Sequence, residues 1–152
     1  MKTDQFLIER GVRFRKHEHL PAYTAQEVAA EEHISGHKVA KTVIVRAGEE
    51  YAMCVLSASF KLDFDKVAKA LGAKHVTLAD ETEMAELFPD VEIGAEPPFG
   101  IFYDMPTVVD ARLAGLDEIT FQAQTHREAI SMSFADYSEL VRPMIADISM
   151  HL

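Results

Sequence analysis

Val39-Ala40-Lys41-Thr42-Val43-Ile44-Val45-Arg46, followed after Ala47-Gly48-Glu49-Glu50 by Tyr51-Ala52-Met53-Cys54-Val55-Leu56, is the stretch that decides the fold class. Two β-branched or apolar runs joined by a short glycine-containing turn read as a hairpin, and their nearly unbroken apolar character makes them central strands. Cys54, the single cysteine, lies inside the second run, where a buried, inert thiol is expected and no intramolecular disulfide can form. Lys41 interrupts the first run. It is either an edge-strand lysine turned to solvent or a buried cation that has to be paired or functional.

On the N-terminal side, Thr3 to Phe6-Leu7 and the Gly11 stop read as a short capped helix, and Val12-Arg13-Phe14-Arg15 alternates like a strand. Thr24 stands three residues before Glu27, the capping-box spacing, and opens an alanine-rich helix to about Glu32. On the C-terminal side, Asp63 caps a helix over Phe64 to Leu71 that Gly72 ends. His75 to Leu78 reads as a short strand, and Asp80 to Phe88 as a helix closed by Pro89. Gly94-Ala95-Glu96-Pro97-Pro98-Phe99-Gly100 cannot be a regular helix and reads as a shaped loop. Ile101–Tyr103, Thr107–Val109, Ile119–Ala123 and Ala129–Met132 read as short strands, with a helical turn over Asp110–Leu113. Ser133 opens a last helix that Pro143 ends. Helices and hairpins in irregular alternation predict an α+β, or loosely mixed α/β, class in which helices pack around a mixed sheet.

At 152 residues and 48% hydrophobic content, the expectation is one domain over residues 1–152. No apolar run reaches the length of a membrane span, and the mixed charges of the first residues do not resemble a signal peptide, so a soluble, cytoplasmic protein is expected. The balance of 15 basic against 25 acidic residues, net −10, argues against broad binding to long DNA or RNA.

Three features offer chemistry. Lys41 is the first. The second is the 94–100 loop, stiffened at Pro97 and Pro98. Gly94 and Gly100 would let backbone approach a ligand there, and exposed N–H groups could hold a developing oxyanion; the plain alternative is a connector. The third is His126, between two strands, as acid, base or donor, against a solvated turn histidine. His17 with His19 and His33 with His37, near Glu18, Glu31 and Glu32, have metal-ligand-like spacing, which keeps a metal-binding enzyme open as an alternative.

The ordered set formed by Lys41 in Ala-Lys-Thr-Val-Ile-Val, the Val55-Leu56-Ser57-Ala58-Ser59 core, Gly94-x-x-x-Pro98-x-Gly100, Val108-Val109-Asp110 and the closing strands with His126 resembles the YbaK/ProX aminoacyl-tRNA editing domains from about His17 to Leu140. The resemblance implies a YbaK-like, barrel-like mixed sheet surrounded by helices. It also implies a trans-editing hydrolase that deacylates transfer RNA mischarged with a small amino acid, without metal or cofactor. Its partners would be the aminoacyl-tRNA 3′ end and a synthetase, and its activity would support translational fidelity. By the same resemblance Lys41 contacts the terminal adenosine or phosphate, Gly94 and Gly100 hold the ester end, and His126 acts in catalysis or specificity. Ser57, Ser59, Pro98 and Phe99 join Lys41 and His126 as substrate-binding positions. Phe121-Gln122-Ala123-Gln124-Thr125-His126 stands where cysteinyl-specific members carry a glycine-rich stretch, so their preference does not transfer. A non-catalytic adaptor for tRNA, nucleotide or synthetase on the same fold is the further alternative.

Overall fold

The structure, a computed structural model, describes residues 2–19, 22, 24–32 and 34–152, with Glu31 described in its backbone only. The hairpin is as expected: β2 (Ala40–Ala47) pairs antiparallel with β3 (Glu50–Ser57), placing Lys41 opposite Leu56. Around it a five-stranded mixed sheet runs in the order β5 (Thr77–Leu78), β2, β3, β6 (Thr107–Asp110), β9 (Met144–Ala146). β3–β6 and β6–β9 are parallel pairs. A second, antiparallel sheet has the order β1 (Arg15–Glu18), β8 (Glu128–Ser133), β7 (Glu118–Gln122). A parallel bridge, Val39 to Thr120, joins it to the start of β2. β4 (Phe60–Leu62) and β10 (Ser149–His151) form a third, two-stranded sheet.

The helices are α1 (Thr3–Glu9), α2 (Ala25–Glu31), α3 (Phe64–Leu71), α4 (Glu81–Leu87), α5 (Ala111–Ala114) and α6 (Phe134–Val141). Thr24, Asp63, Asp80 and Ser133 cap α2, α3, α4 and α6 through their side chains, and Gly72 ends α3 at φ 67°, a conformation that favours glycine. The mixed α+β class is thus the observed one.

Three local readings need correction. Ile101–Tyr103 is not a strand but part of a 3₁₀ turn, Gly100–Phe102. Residues 99 and 102 would face opposite ways in a strand, whereas an i, i+3 turn brings their rings together, stacked 5.0 Å apart. The first strand is displaced from Val12–Arg15 to Arg15–Glu18, because Val12 and Phe14 pack on the core ahead of the paired region. Thr3 is not the cap of α1; its N–H and hydroxyl donate to the Gln124 side-chain oxygen. The short strands β4, β9 and β10 are additions that local pattern did not reveal.

Three apolar clusters organise the interior. The first gathers Ile44, Met53, Val55, Phe99, Phe121 and Tyr137. The second, on the other face of the hairpin, gathers Val45, Ala52, Cys54, Val67 and Val108. Burial pushes the Cys54 thiol up to about 12, so it stays protonated. The third is small and built mostly of alanine: Ala22, Val28, Ala29, Val39, Ala58 and Ala129.

Candidate functional site

The third cluster is where separate parts of the chain meet. Val39 leads into Lys41, Ala58 lies between Ser57 and Ser59, and Ala129 follows the turn that carries His126. Ala22 N–H donates to the His126 carbonyl at 2.8 Å. Through this bond His126 adjoins the alanine-rich cluster, as do Ser57 and Ser59 on either side of Ala58, while Lys41 lies two residues beyond Val39 along the chain.

Lys41 is half-buried. Strand alternation sets it on the face that carries Val39 into the third cluster and Val43 against the second. Among the described residues its ammonium has no hydrogen bond and no ion pair, and desolvation lowers its affinity for the proton below that of an ordinary lysine. A cation half out of water with no partner among the described residues is poised for an anionic or polar ligand.

The 94–100 loop is built differently. Gly94 is exposed, with φ 93°, and Ala95 through Gly100 are all buried. Phe99 has no exposed surface and packs against Phe6, Phe121 and Tyr137, while the Pro98 carbonyl accepts from Tyr137 Oη at 2.6 Å. A Cβ on Gly100 would fall against Thr107 Oγ1 and within 2.5 Å of the Met105 carbonyl. The close approach that Gly100 permits is therefore to the protein itself.

The expectation of free loop donors is likewise corrected. Gly94 N–H is shared between Glu96 Oε1 and Oε2, at 3.1 and 2.9 Å. Ala95 N–H donates to the Glu92 carbonyl, Phe99 N–H to the Pro97 carbonyl, and Gly100 N–H to Thr107 Oγ1. The prolines have no N–H to offer.

His126 is 8% exposed and knots the loop to the turn before β8. Nε2 donates to the Ile93 carbonyl at 2.8 Å, and Nδ1 meets the Gln122 side-chain amide at 3.0 Å. Its backbone N–H donates to Glu92 Oε1 at 3.0 Å. Nearby, Gln124 N–H donates to the Ala95 carbonyl and Glu92 N–H to the Gln124 carbonyl. The histidine is thus neither at an open mouth nor solvated.

Ser57, also buried, directs its hydroxyl to the carbonyls of Gly36 and His37, each 3.1 Å away, and Ser59 N–H lies 3.4 Å from Ser57 Oγ. Ser59 is partly exposed.

Glu96 is the residue that sequence reading passed over. Its side chain is buried, and desolvation raises its proton affinity above the ordinary carboxylate range, opposed by backbone N–H donors and by the charge of His126. Nothing local marks it apart from the many solvated glutamates of the chain; only the prolines beside it hint at a packed loop.

His17 approaches Glu32, His37 lies beside the Phe60 ring, and His33 is outside the described residues. Among the described residues no three His, Cys, Asp or Glu side chains converge as metal ligands.

The family model for the aminoacyl-tRNA editing domain matches residues 19–140. The chain belongs to this family. The matched residues include the Lys41 strand, the 94–100 loop, and the β7–β8 pair with His126. Two solved structures share the fold. Hypothetical protein APE2540 aligns with a TM-score of 0.90 at 23% identity, over 99% of this chain and 100% of that one. A candidate trans-editing enzyme for prolyl-tRNA synthetase aligns with a TM-score of 0.80 at 23% identity, over 95% and 92% of the two chains. At that identity the likeness speaks for the YbaK-like fold. No helix of the described residues is long and apolar enough to cross a membrane.

Proposed function

We propose that the chain is a single editing domain that hydrolyses, in trans, the ester between a small amino acid and the 3′ end of a mischarged transfer RNA in the cytoplasm. The observation that carries the reading is the half-buried Lys41 ammonium, which has no partner among the described residues. The buried small side chains next to it leave the surface beside Lys41 and the partly exposed Ser59 as a shallow basin for an RNA terminus and a compact acyl group. Lys41 binds the terminal phosphate or adenosine as a point charge. Gly94, the exposed member of the loop, turns its N–H from Glu96 to the ester carbonyl as charge develops there, and a positioned water attacks.

His126, bonded on all sides, holds Ile93 and Glu92 in place; with Gln122 it sets which amino acid fits. Pro98, Phe99, Gly100 and Ser57 support the basin from within, and Ser59 faces its edge. A synthetase partner supplies the RNA affinity that a net charge of −10 denies the free chain.

Single-turnover deacylation of alanyl-, seryl- and cysteinyl-tRNA mispairs tests this reading. Rates above spontaneous hydrolysis on at least one support it. Binding without turnover across the panel replaces the enzyme by an adaptor, a reading that the burial of so many site positions favours.

A further inference from the structure

His17 and Glu32 meet over a cavity of about 290 Å³ whose walls also include Ser131, Thr120, Lys38 and Arg15. Glu32 Oε1 is buried and has no hydrogen bond among the described residues, and it lies 3.4 Å from His17 Nδ1. The other ring nitrogen, Nε2, lies 3.2 Å from Ser131 Oγ. In the tautomer that carries its proton on Nδ1, toward the Glu32 carboxylate, the Nε2 lone pair faces the serine hydroxyl. With the Ser131 proton directed at His17, Thr120 Oγ1, 2.6 Å from Ser131 Oγ, becomes the donor of that pair.

Carboxylate, imidazole and hydroxyl in this order activate a serine, and separations at the long end of hydrogen-bond reach are usual before substrate binds. Lys38 lines the same cavity, and among the described residues its ammonium has no hydrogen bond or ion pair; it can face a developing oxyanion.

We propose that Ser131, His17 and Glu32 form a second acyl-transfer centre, for small carboxylic esters, beside the Lys41 basin. Ser131 Oγ attacks the ester carbon while its proton passes to His17 Nε2. The carbon–alkoxy bond breaks and the leaving alkoxide takes that proton. Water then attacks the acyl-serine, gives its proton to His17, and the acid departs as the proton returns to Ser131. Glu32 holds the imidazole tautomer throughout and does not react.

The test needs no RNA, so it stands or falls apart from the deacylase reading. Wild-type protein is treated with a fluorophosphonate, which forms an Oγ–P bond on an activated serine with loss of fluoride, and the labelled peptide is mapped by mass spectrometry. Hydrolysis of p-nitrophenyl acetate is followed in parallel. The expected result is label on Ser131, with ester hydrolysis lost in Ser131→Ala and labelling slowed roughly 10²- to 10⁴-fold in His17→Gln. Mapping the wild type requires no variant to fold, and melting curves accompany each variant. An unlabelled Ser131 overturns the proposal. So does a labelling rate that is the same in folded His17→Gln, since the hydroxyl would then be an ordinary one.

Discussion

Lys41 and His126 are housed in opposite ways. Lys41 keeps its ammonium unpaired among the described residues at a half-buried position, so the protein bears a desolvation penalty there without a compensating contact. His126 is buried with both ring nitrogens and its backbone N–H bonded to the protein. An uncompensated polar group is one the fold does not need, and a fully bonded one is a part of the scaffold. Removing the first should harm ligand chemistry and spare the fold. Removing the second should do the reverse.

The largest effect is expected at Lys41. Lys41→Ala takes away one charge-assisted contact, at about 1.5–3 kcal/mol, so single-turnover deacylation should fall roughly 13- to 160-fold. Its melting temperature should hold or rise, because the desolvated charge is gone. The lowered proton affinity gives a direction as well. The unfolded chain holds the Lys41 proton to higher pH than the native one, so wild-type stability should rise as pH climbs through the native value toward 10.5, and the variant should lack that rise. A variant that keeps its rate and loses stability would turn the comparison upside down.

Gly100→Ala should come next, on stability. The new methyl meets backbone at Met105 as well as the Thr107 hydroxyl, and overpacking of this kind costs about 1–3 kcal/mol. In a domain of this size each kcal/mol lowers the melting temperature by about 2–4 °C. Calorimetry reads the shift, and a rate per folded molecule near wild type confirms that Gly100 serves packing. A rate loss with no thermal shift would return the glycine to the ester.

His126→Ala leaves the Ile93 carbonyl and the Gln122 amide without their ring partners, a loss of about 1–3 kcal/mol. Thermal stability should drop, and discrimination among alanyl, seryl and cysteinyl substrates should weaken as the 92–96 segment loosens. A uniform rate loss of about a thousandfold at unchanged stability would instead mark a general acid or base.

Which of these roles could be read from the sequence follows from how local their causes are. The hairpin, the caps at Thr24, Asp63 and Ser133, and the stop at Gly72 are set within a few residues, and they are legible. Lys41 stood out because a cation breaks an apolar run. The pairing of β10 with β4, the parallel neighbours of β6 and the 3₁₀ turn at Gly100–Phe102 depend on partners far along the chain, so no local pattern announces them. The same holds for His126 and Glu96. Their burial is decided where the loop docks on the β7–β8 turn, and a histidine or glutamate in a polar turn looks the same whether it ends in water or in the core.

Glu96 gives the smallest effect and the sharpest probe of the loop. Its carboxyl is held above its ordinary value of 4.5, first by desolvation. Well below that value it is protonated in both the folded and the unfolded chain. As pH rises, the unfolded chain loses the proton first, so stability falls across the window from about 4.5 up to the raised native value and stays lower above it. Glu96→Gln removes the titration and keeps an oxygen able to accept from Gly94 N–H. Melting temperatures of the two proteins, compared from about pH 4 to about pH 8, should therefore diverge in favour of the variant as pH rises. A neutral amide also grips Gly94 N–H less firmly than a carboxylate, since charge-assisted bonds are roughly twice as strong. If that N–H is the donor turned to the ester, deacylation by Glu96→Gln should stay equal to wild type or exceed it. A constant offset in melting temperature would show that the native carboxyl is not strained by burial. A fall in rate would mean that the carboxylate itself takes part in the reaction, and the contrast would then run between Lys41 and Glu96 rather than between Lys41 and His126.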